Sequence, residues 1–214
     1  MPLLVSFFFV RNTYKTDQTI MDNKKLIIFT APSGAGKTTI VKHLLKVRQD
    51  ISFSISACTR KQRYGEVNGM DYYFFSVSEF KRKIENEEFV EWEEVYENQF
   101  YGTLESEIER IWALGKHVIF DIDVKGAHRI KRKYKQRALT VFVKPPSFEH
   151  LKQRLINRKT EDEKSLKRRI SRVKEEMTYE RFFDVTVINN NLDVALQDAE
   201  KFVNDFVEEK MKMV

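Results

Sequence analysis

Short apolar runs and amphipathic stretches alternate along most of the chain. The apolar runs predict strands at residues 26–29, 51–57, 117–120, 138–143 and 184–188. Helices are predicted at residues 39–47, 104–114, 147–157, 165–179 and 192–207. Because strands that alternate with helices form a parallel sheet covered by those helices, the pattern predicts an α/β fold with a mostly parallel sheet.

Residues 56–105 interrupt this alternation with many aromatic side chains. They predict a strand at 71–75, a helix that Ser78 caps and that runs to about residue 86, and short strands within 89–101 that are joined at 97–99. The part at 61–69 is polar and typical of a loop. We therefore expect residues 56–105 to form a small separate lobe.

Residues 1–22 are unlike the rest of the chain. The apolar run at 3–10 is too short to cross a bilayer, and it lacks the basic flank of a signal peptide. Met21 stands directly before a polar segment and the first predicted strand, so residues 1–20 need not belong to the native protein. We expect residues 1–22 to be a disordered extension, and a chain that begins at Met21 to be equally stable and active.

The composition limits the classes of ligand that the protein could bind but does not identify one. The 214 residues are 42% hydrophobic and 33% charged, which suits one sizeable core with a small inserted lobe. A net charge of +6 favours polyanionic ligands, namely nucleotides, nucleic acid or an anionic membrane. The single cysteine, Cys58, excludes an internal disulfide and favours a reducing, cytoplasmic compartment. The four histidines lack the spacing of metal ligands.

The strongest motif follows the first predicted strand. Residues 31–38 read Ala-Pro-Ser-Gly-Ala-Gly-Lys-Thr and lead into a helix, which is the arrangement of a phosphate-binding P-loop. Lys37 would reach the outer phosphates of a nucleoside triphosphate, and the Thr38 hydroxyl would ligate Mg²⁺. Asp121 ends another predicted strand, at the sheet edge where such folds bind ligands. Ala31 stands where the full pattern has glycine, and it would be strained there if the position needed a positive φ.

Four further motifs accompany the P-loop. They are the segment 54–74, Phe89-Val90-Glu91-Trp92, Tyr101-Gly102-Thr103 and Asp121-Ile122-Asp123. In this order they closely resemble the guanylate kinase family, bacterial type, over residues 23–210. The resemblance implies a P-loop NTPase fold with a core (23–55, 106–157 and 180–210), a GMP-binding lobe (56–105) and a lid (158–179). Bacterial members commonly start their P-loop with Ala-Pro-Ser-Gly, which makes Ala31 a family variant.

The segment 54–74 offers a site for a monophosphate. Arg60 and Arg63 present two planar guanidinium groups that can bind a terminal phosphate through paired hydrogen bonds. Tyr72 and Tyr101 can add hydroxyl donors. A solvated basic loop is the alternative interpretation of the two arginines.

Glu91 can select the base. Guanine presents N1–H and N2–H₂ donors side by side, and one ionised carboxylate accepts both, whereas the N1 acceptor of adenine would oppose that carboxylate. The alternative is a plain surface charge, because Glu91 lies in an acidic cluster. The neighbouring Glu93, Glu94 and Glu97 are expected to be solvated.

The resemblance implies further site residues and includes those that the P-loop motif already indicates. The GMP site would be completed by Ser56, Gly102, Thr103 and Asp123. The catalytic cations would be Lys37, Arg154, Arg158 and Arg169, with Lys159 in place of the glycine that is usual in the lid. The ATP site would comprise Ala31, Pro32, Ser33, Gly34, Ala35, Gly36, Lys37, Thr38, Thr39 and Asn189, while Thr38 and Asp121 would hold Mg²⁺. The other basic residues of this region, Arg172 among them, are expected to be solvated.

These features predict phosphoryl transfer from ATP to GMP, giving ADP and GDP, with Mg²⁺ as the cofactor. The alternative is a non-catalytic guanylate-kinase-like module that binds protein, and the retained Lys37, Thr38 and lid arginines argue against it. A kinase for another monophosphate is a second alternative, which Glu91 and Ser56 disfavour. We expect no nucleic-acid or membrane partner, and a homo-oligomeric state is left open.

Overall fold

The computed structural model describes residues 24–151 and 163–211, with the backbone alone for 163–169. In chain order its elements are β1 (Leu26–Thr30), α1 (Lys37–Val47), β2 (Ile51–Phe53), β3 (Ala57–Cys58), β4 (Tyr73–Phe74), α2 (Val77–Glu85), β5 (Phe89–Tyr96), β6 (Gln99–Leu104), α3 (Glu105–Ala113), β7 (His117–Asp121), α4 (Val124–Tyr134), β8 (Ala138–Lys144), α5 (Glu163–Met177), β9 (Val185–Ile188) and α6 (Leu192–Val207). Short 3-10 turns follow α4 and α5.

Five strands form a parallel sheet in the order β2-β7-β1-β8-β9. Strand β1 lies at its centre, and its sequence Leu-Ile-Ile-Phe-Thr is buried throughout, as a strand covered on both faces requires. Helices α1 and α6 pack on one face through Ile40, Leu44 and Val203. Helices α3 and α4 pack on the other through Ile108 and Ile130. The predicted α/β fold with a mostly parallel sheet is confirmed.

A second sheet, in the order β4-β3-β6-β5, lies within the segment expected to form a small lobe. Its core is aromatic: the Phe80 ring of α2 stacks on Phe89 and Phe100, with centroid distances of 4.3 and 5.4 Å. The prediction of one strand at 51–57 was wrong. Strand β2 pairs in the central sheet and β3 in the lobe sheet, so residues 54–56 cross from the core to the lobe.

Helix α2 is capped by Ser76 and not by the predicted Ser78. The Ser76 Oγ atom accepts a hydrogen bond from the Glu79 backbone N–H at 3.2 Å, and Glu79 Oε2 accepts one from the Ser76 N–H at 2.8 Å. This reciprocal pair needs a Glu or Gln three residues after the cap. Lys81 stands three residues after Ser78 and cannot complete it.

The closing helix is confirmed as α6, with the predicted bounds of 192–207. The described part of the predicted lid is α5 and the 3-10 turn after it. The predicted extension 1–22, the start of the lid and Lys159 lie outside the described residues. Within residues 24–151 and 163–211, no helix is long and apolar enough to cross a membrane.

Candidate functional site

A glycine-bearing cradle, residues 31–38, joins β1 to α1. Gly34 and Gly36 have φ angles of 91° and 97°, which glycine adopts without strain. Ala31 is not among the described residues with a positive φ, so its position does not need glycine. The Ala35 N–H donates to the Pro32 carbonyl oxygen at 3.1 Å, which closes the loop.

Asp121, at the end of β7, holds the first two side chains of α1. The Lys37 Nζ atom lies 2.7 Å from Asp121 Oδ1, and the Thr38 hydroxyl donates to Oδ2 at 2.6 Å. Lys37 also donates to the Ile122 carbonyl oxygen at 2.7 Å. Because β1 and β7 are neighbours, the sheet brings these three sequence-predicted residues together. The described residues contain no group of three or more His, Cys, Asp or Glu that could hold a metal ion.

Asn189, just after β9, packs against the backbone of the cradle. Its Nδ2 atom donates to the Ala35 carbonyl oxygen at 2.7 Å, and the residue is only 6% exposed. A Cβ atom at Gly36 would lie 2.2 Å from this Nδ2 atom. Gly36 is therefore required for space as well as for its φ, while the expected contact of Asn189 with ATP stays a prediction.

The predicted arginine pair lies on the loop after β3, which we call the arginine loop (residues 59–69). Glu66, which is not among the predicted site residues, accepts hydrogen bonds from Arg60 Nη1 and Nη2 at 2.7 and 2.6 Å. It also accepts one from the Arg63 backbone N–H at 2.8 Å. These contacts, above all those of Arg60, lower the pKa of Glu66 to about 2. The Arg60 guanidinium lies over the Tyr72 ring, and the Tyr72 and Tyr101 rings pack edge to face with their centroids 6.3 Å apart.

Glu91 is buried in the lobe, which excludes the interpretation as a plain surface charge. It is 6% exposed, and Thr103, its cross-strand partner, donates to Glu91 Oε1 at 2.8 Å. Burial, reinforced by the charge of Asp123, raises the pKa of Glu91 to about 7. A Cβ atom at Gly126 would lie 2.7 Å from Glu91 Oε2, and one at Gly102 would lie 2.7 Å from the Glu91 carbonyl oxygen. Both glycines make room for this residue.

Asp123 and Glu93 lie beside Glu91. Asp123 is the N-cap of α4, and its Oδ1 atom accepts from the N–H groups of Lys125 and Gly126 at 2.8 and 3.1 Å. The expectation that Glu93 is solvated was wrong: its side chain is 14% exposed, and Oε1 lies 3.4 Å from Lys125 Nζ. Glu91 and Glu93 alternate with Trp92 along β5, so both fall on the same face of the sheet.

Four of the predicted site residues have no described side-chain contact in the site. Ser56 is half-buried on the crossing between β2 and β3. Arg154 and Arg158 lie outside the described residues, and Arg169 lies on α5, where the backbone alone is described.

One cavity of about 670 Å³ joins the cradle to the arginine loop. It is lined by residues 31–39, Arg63, Tyr96, Asp121, Ile122, Asp123, Arg172 and Glu176. The expectation that Arg172 is solvated was wrong, because its side chain lines this cavity and its Nε atom lies 2.9 Å from Glu176 Oε1. The spacing of four residues between Arg172 and Glu176 was the one signal for this pair in the sequence.

The parallel sheet and the cradle, with its Lys-Thr pair at the start of α1, define the chain as a P-loop NTPase. The family model for guanylate kinase matches residues 23–206. The chain therefore belongs to the guanylate kinase family.

Curated relatives and a solved structure support the same assignment. The chain is 46% identical to the guanylate kinase of Porphyromonas gingivalis, a match that covers 86% of this chain and 98% of that protein. It is 43% identical to the guanylate kinase of Bacteroides fragilis, over 86% of this chain and 90% of that protein. The crystal structure of guanylate kinase from Anaplasma phagocytophilum matches with a TM-score of 0.67 and 28% identity, over 88% of this chain and 87% of that one. These matches favour a kinase over a non-catalytic binding module.

Proposed function

We propose that this chain transfers the γ-phosphoryl group of ATP to GMP, giving ADP and GDP. The observation that carries the proposal is a cavity lined by both the cradle and Arg63 of the arginine loop. A triphosphate on the cradle and a monophosphate on the arginine loop would meet in that cavity. Direct in-line transfer between them needs positioning and charge neutralisation rather than a covalent intermediate.

On the donor side, the N–H groups of the cradle and the Lys37 ammonium would bind the phosphates of ATP. Lys37 is held ready at the cradle by Asp121 and the Ile122 carbonyl. The Thr38 hydroxyl and the Asp121 carboxylate, with oxygen atoms 2.6 Å apart, are hard oxygen donors of the kind that Mg²⁺ prefers. Mg²⁺, when bound together with ATP, would neutralise phosphate charge.

On the acceptor side, Arg60, Arg63, Tyr72 and Tyr101 would hold the phosphate of GMP. Glu66 binds both Nη atoms of Arg60, and Nη1 also donates to the Lys61 carbonyl oxygen at 3.1 Å, so the second hydrogen of Nη2 remains for a phosphate oxygen. The ion pair therefore fixes the direction of the guanidinium before the substrate arrives. This phosphate is itself the anionic nucleophile, so no strong base is needed at the site.

Glu91 would read guanine through its adjacent N1–H and N2–H₂ donors. Thr103 holds one carboxylate oxygen, and Gly126 leaves space for the other. Ser56, Gly102 and Asp123 would complete this pocket. An adenine at the same place would set its N1 acceptor against a buried carboxylate, which costs several kcal/mol of binding, so GMP should be preferred over AMP.

The arginines of the predicted lid would act on the transferring phosphoryl group. In this proposal Arg154, Arg158 and Arg169 approach the phosphates as the lid and the lobe close, and they stabilise the charge that develops during transfer. Closure would also exclude water that would otherwise hydrolyse ATP. We place the reaction in the cytoplasm, where the free and buried thiol of Cys58 stays reduced.

An ADP-release assay with GMP, AMP, dTMP and UMP as acceptors tests the function. We expect turnover with GMP and little with the other three, and no turnover for Lys37→Ala. Arg60→Ala should raise the KM for GMP more than that for ATP, whereas the exposed neighbour Lys61→Ala serves as the matched control. Equal activity with AMP would contradict the role of Glu91. A lack of activity with every acceptor would favour the binding module.

A further inference from the structure

A pair of oppositely charged residues on α5 faces the cradle. Arg172 and Glu176 lie one helical turn apart, and both line the central cavity together with residues 31–39. None of the motifs in the sequence assigns a role to either residue. Both residues lie beside the loop that would bind the phosphates of ATP.

Glu176 connects the helix to the cradle. It is 6% exposed, its Oε1 atom accepts a hydrogen bond from Arg172 Nε at 2.9 Å, and its Oε2 atom accepts one from the Ser33 backbone N–H at 3.3 Å. A carboxylate this deeply buried is costly unless it is paired and hydrogen-bonded. Both oxygens have such partners here, so Glu176 fixes Arg172 with respect to the cradle backbone.

Arg172 retains donors for a ligand. Its ion pair with Glu176 uses Nε, and among the described residues its Nη groups have no hydrogen-bonded partner. The side chain is 37% exposed and lines the cavity into which the cradle opens. Two such Nη groups on a planar guanidinium are suited to bind phosphate oxygens in pairs.

We propose that Arg172 binds phosphate oxygens of ATP in this cavity, and that Glu176 is the positioning residue that holds it there. The inference rests on the proposed function for the identity of its ligand. It adds to the predicted lid arginines a cation that is oriented by Glu176, which is itself hydrogen-bonded to the cradle backbone. Lys37 and Arg172 then approach the phosphates from the cradle and from α5, respectively.

The rival role is that of a counter-ion. Burial alone would lower the pKa of Arg172, but the charges of Glu176, Glu93 and Asp123 around it outweigh burial and raise that pKa. If neutralising these acids were its whole role, its removal would lower stability and leave the affinity for ATP unchanged.

Four variants of the full chain separate the two roles. Arg172→Ala removes the guanidinium. Arg172→Lys keeps the positive charge that neutralises the acidic groups but loses the planar guanidinium. Glu176→Gln removes the negative charge of the ion pair that orients Arg172. Lys174→Ala is the matched control, because Lys174 is an exposed cation on the same helix whose ammonium lies over the Phe148 ring. We would measure the binding of ATP with Mg²⁺ by calorimetry without GMP, the kcat and KM for each substrate, and the melting temperature.

We expect Arg172→Ala to weaken ATP binding and to lower kcat/KM for ATP by about 10- to 100-fold, as the loss of charged hydrogen bonds predicts. The KM for GMP should change by less than about twofold. Arg172→Lys should melt like the wild type and still bind ATP several-fold more weakly, Glu176→Gln should give an intermediate loss, and Lys174→Ala should match the wild type.

Unchanged ATP affinity in both Arg172 variants would overturn the inference, and so would a loss confined to the KM for GMP. A wild-type chain that binds ATP but does not phosphorylate GMP would instead overturn the proposed function. The binding series would still decide the role of Arg172 in that case.

Discussion

Gly126 lies in the first turn of α4, where a Cβ atom would stand 2.7 Å from Glu91 Oε2 and 3.1 Å from its carboxyl carbon. Its φ is not in the left-handed region, so the demand for glycine here is one of space alone. Alanine has the higher helix propensity, by up to about 1 kcal/mol where the position is in a helix interior. A methyl group at this position therefore favours the helix while it displaces the Glu91 carboxylate.

Gly126→Ala should accordingly raise the KM for GMP by about tenfold or more and leave the KM for ATP unchanged, since several kcal/mol depend on correctly placed buried acceptors. Steady-state kinetics with each substrate varied would measure this, and Arg132→Ala, an exposed position on the same helix, is the control. An unaltered KM for GMP would show that Glu91 does not bind the base from its present position.

The protonation of Glu91 predicts a pH dependence of GMP use. Its pKa is raised to about 7, and only the ionised carboxylate accepts both guanine donors. As the pH falls from 8 to 6, the ionised fraction of the free enzyme decreases, and kcat/KM for GMP should fall about tenfold. The substrate phosphate also titrates near pH 6. A Glu91→Gln variant keeps that second titration, so the step near pH 7 should be absent from its profile; its persistence would assign the step to another group.

At the scale of elements, Glu107 of α3 joins the core to the lobe. It is 1% exposed, and it accepts hydrogen bonds from the Ile55 N–H, the Tyr73 hydroxyl and the Arg110 guanidinium, all between 2.8 and 2.9 Å. Ile55 lies on the crossing between the two sheets, and Tyr73 starts β4. One carboxylate thus ties a core helix to both the crossing and the lobe sheet.

Glu107→Ala should lower the free energy of unfolding by about 2 to 4 kcal/mol, because it leaves the Ile55 N–H and the Tyr73 hydroxyl without their acceptor. Arg110 is 44% exposed and can turn to water, so its share of the loss is small. Urea unfolding would measure the change, with the exposed Glu109→Ala expected to stay within about 0.5 kcal/mol of the wild type. Equal losses in the two variants would contradict a special role for Glu107.

The elements that the sequence predicted best are those that a local pattern determines. Helix α6 was predicted with its observed bounds, and the buried strands β1 and β7 were evident from their apolar runs. The prediction of one strand at 51–57 was wrong because the sheet that a strand joins depends on its partner strand and not on its own sequence. The predicted cap of α2 was wrong because two serines stand close together. Only the residue three positions after each one, Glu79 or Lys81, distinguishes them as caps.

The site residues that the sequence predicted are likewise those that belong to a local motif. Lys37, Thr38 and Asp121 belong to short motifs and could be named from the sequence, and the structure brings them together. Glu176 could not, because its partner Ser33 is 143 residues away in the chain. Glu107 likewise meets Ile55 across 52 residues. Such acceptors have no local signal, since only the folded chain determines which buried N–H group needs them.

At the scale of the whole molecule, the cradle and the arginine loop, which we propose bind the phosphates of the two substrates, open onto one cavity of about 670 Å³. A ligand with adenosine and guanosine joined through five phosphates should therefore occupy both sites at once. Calorimetry should give a Kd at least about 100-fold below that of ATP or GMP alone, because the second site is filled by an already tethered group. The same compound with two adenosines is the control and should bind less tightly. Affinity no better than that of ATP would mean that the two sites cannot be bridged.

The contact between Asn189 and the cradle also bears on how the protein is made. Asn189 meets Ala35 across 154 residues, and its amide fills the space beside Gly36. Synthesis proceeds from the N-terminus, so residues 31–38 leave the ribosome long before Asn189 is added. The contact of Asn189 with the cradle can thus form only when translation nears its end.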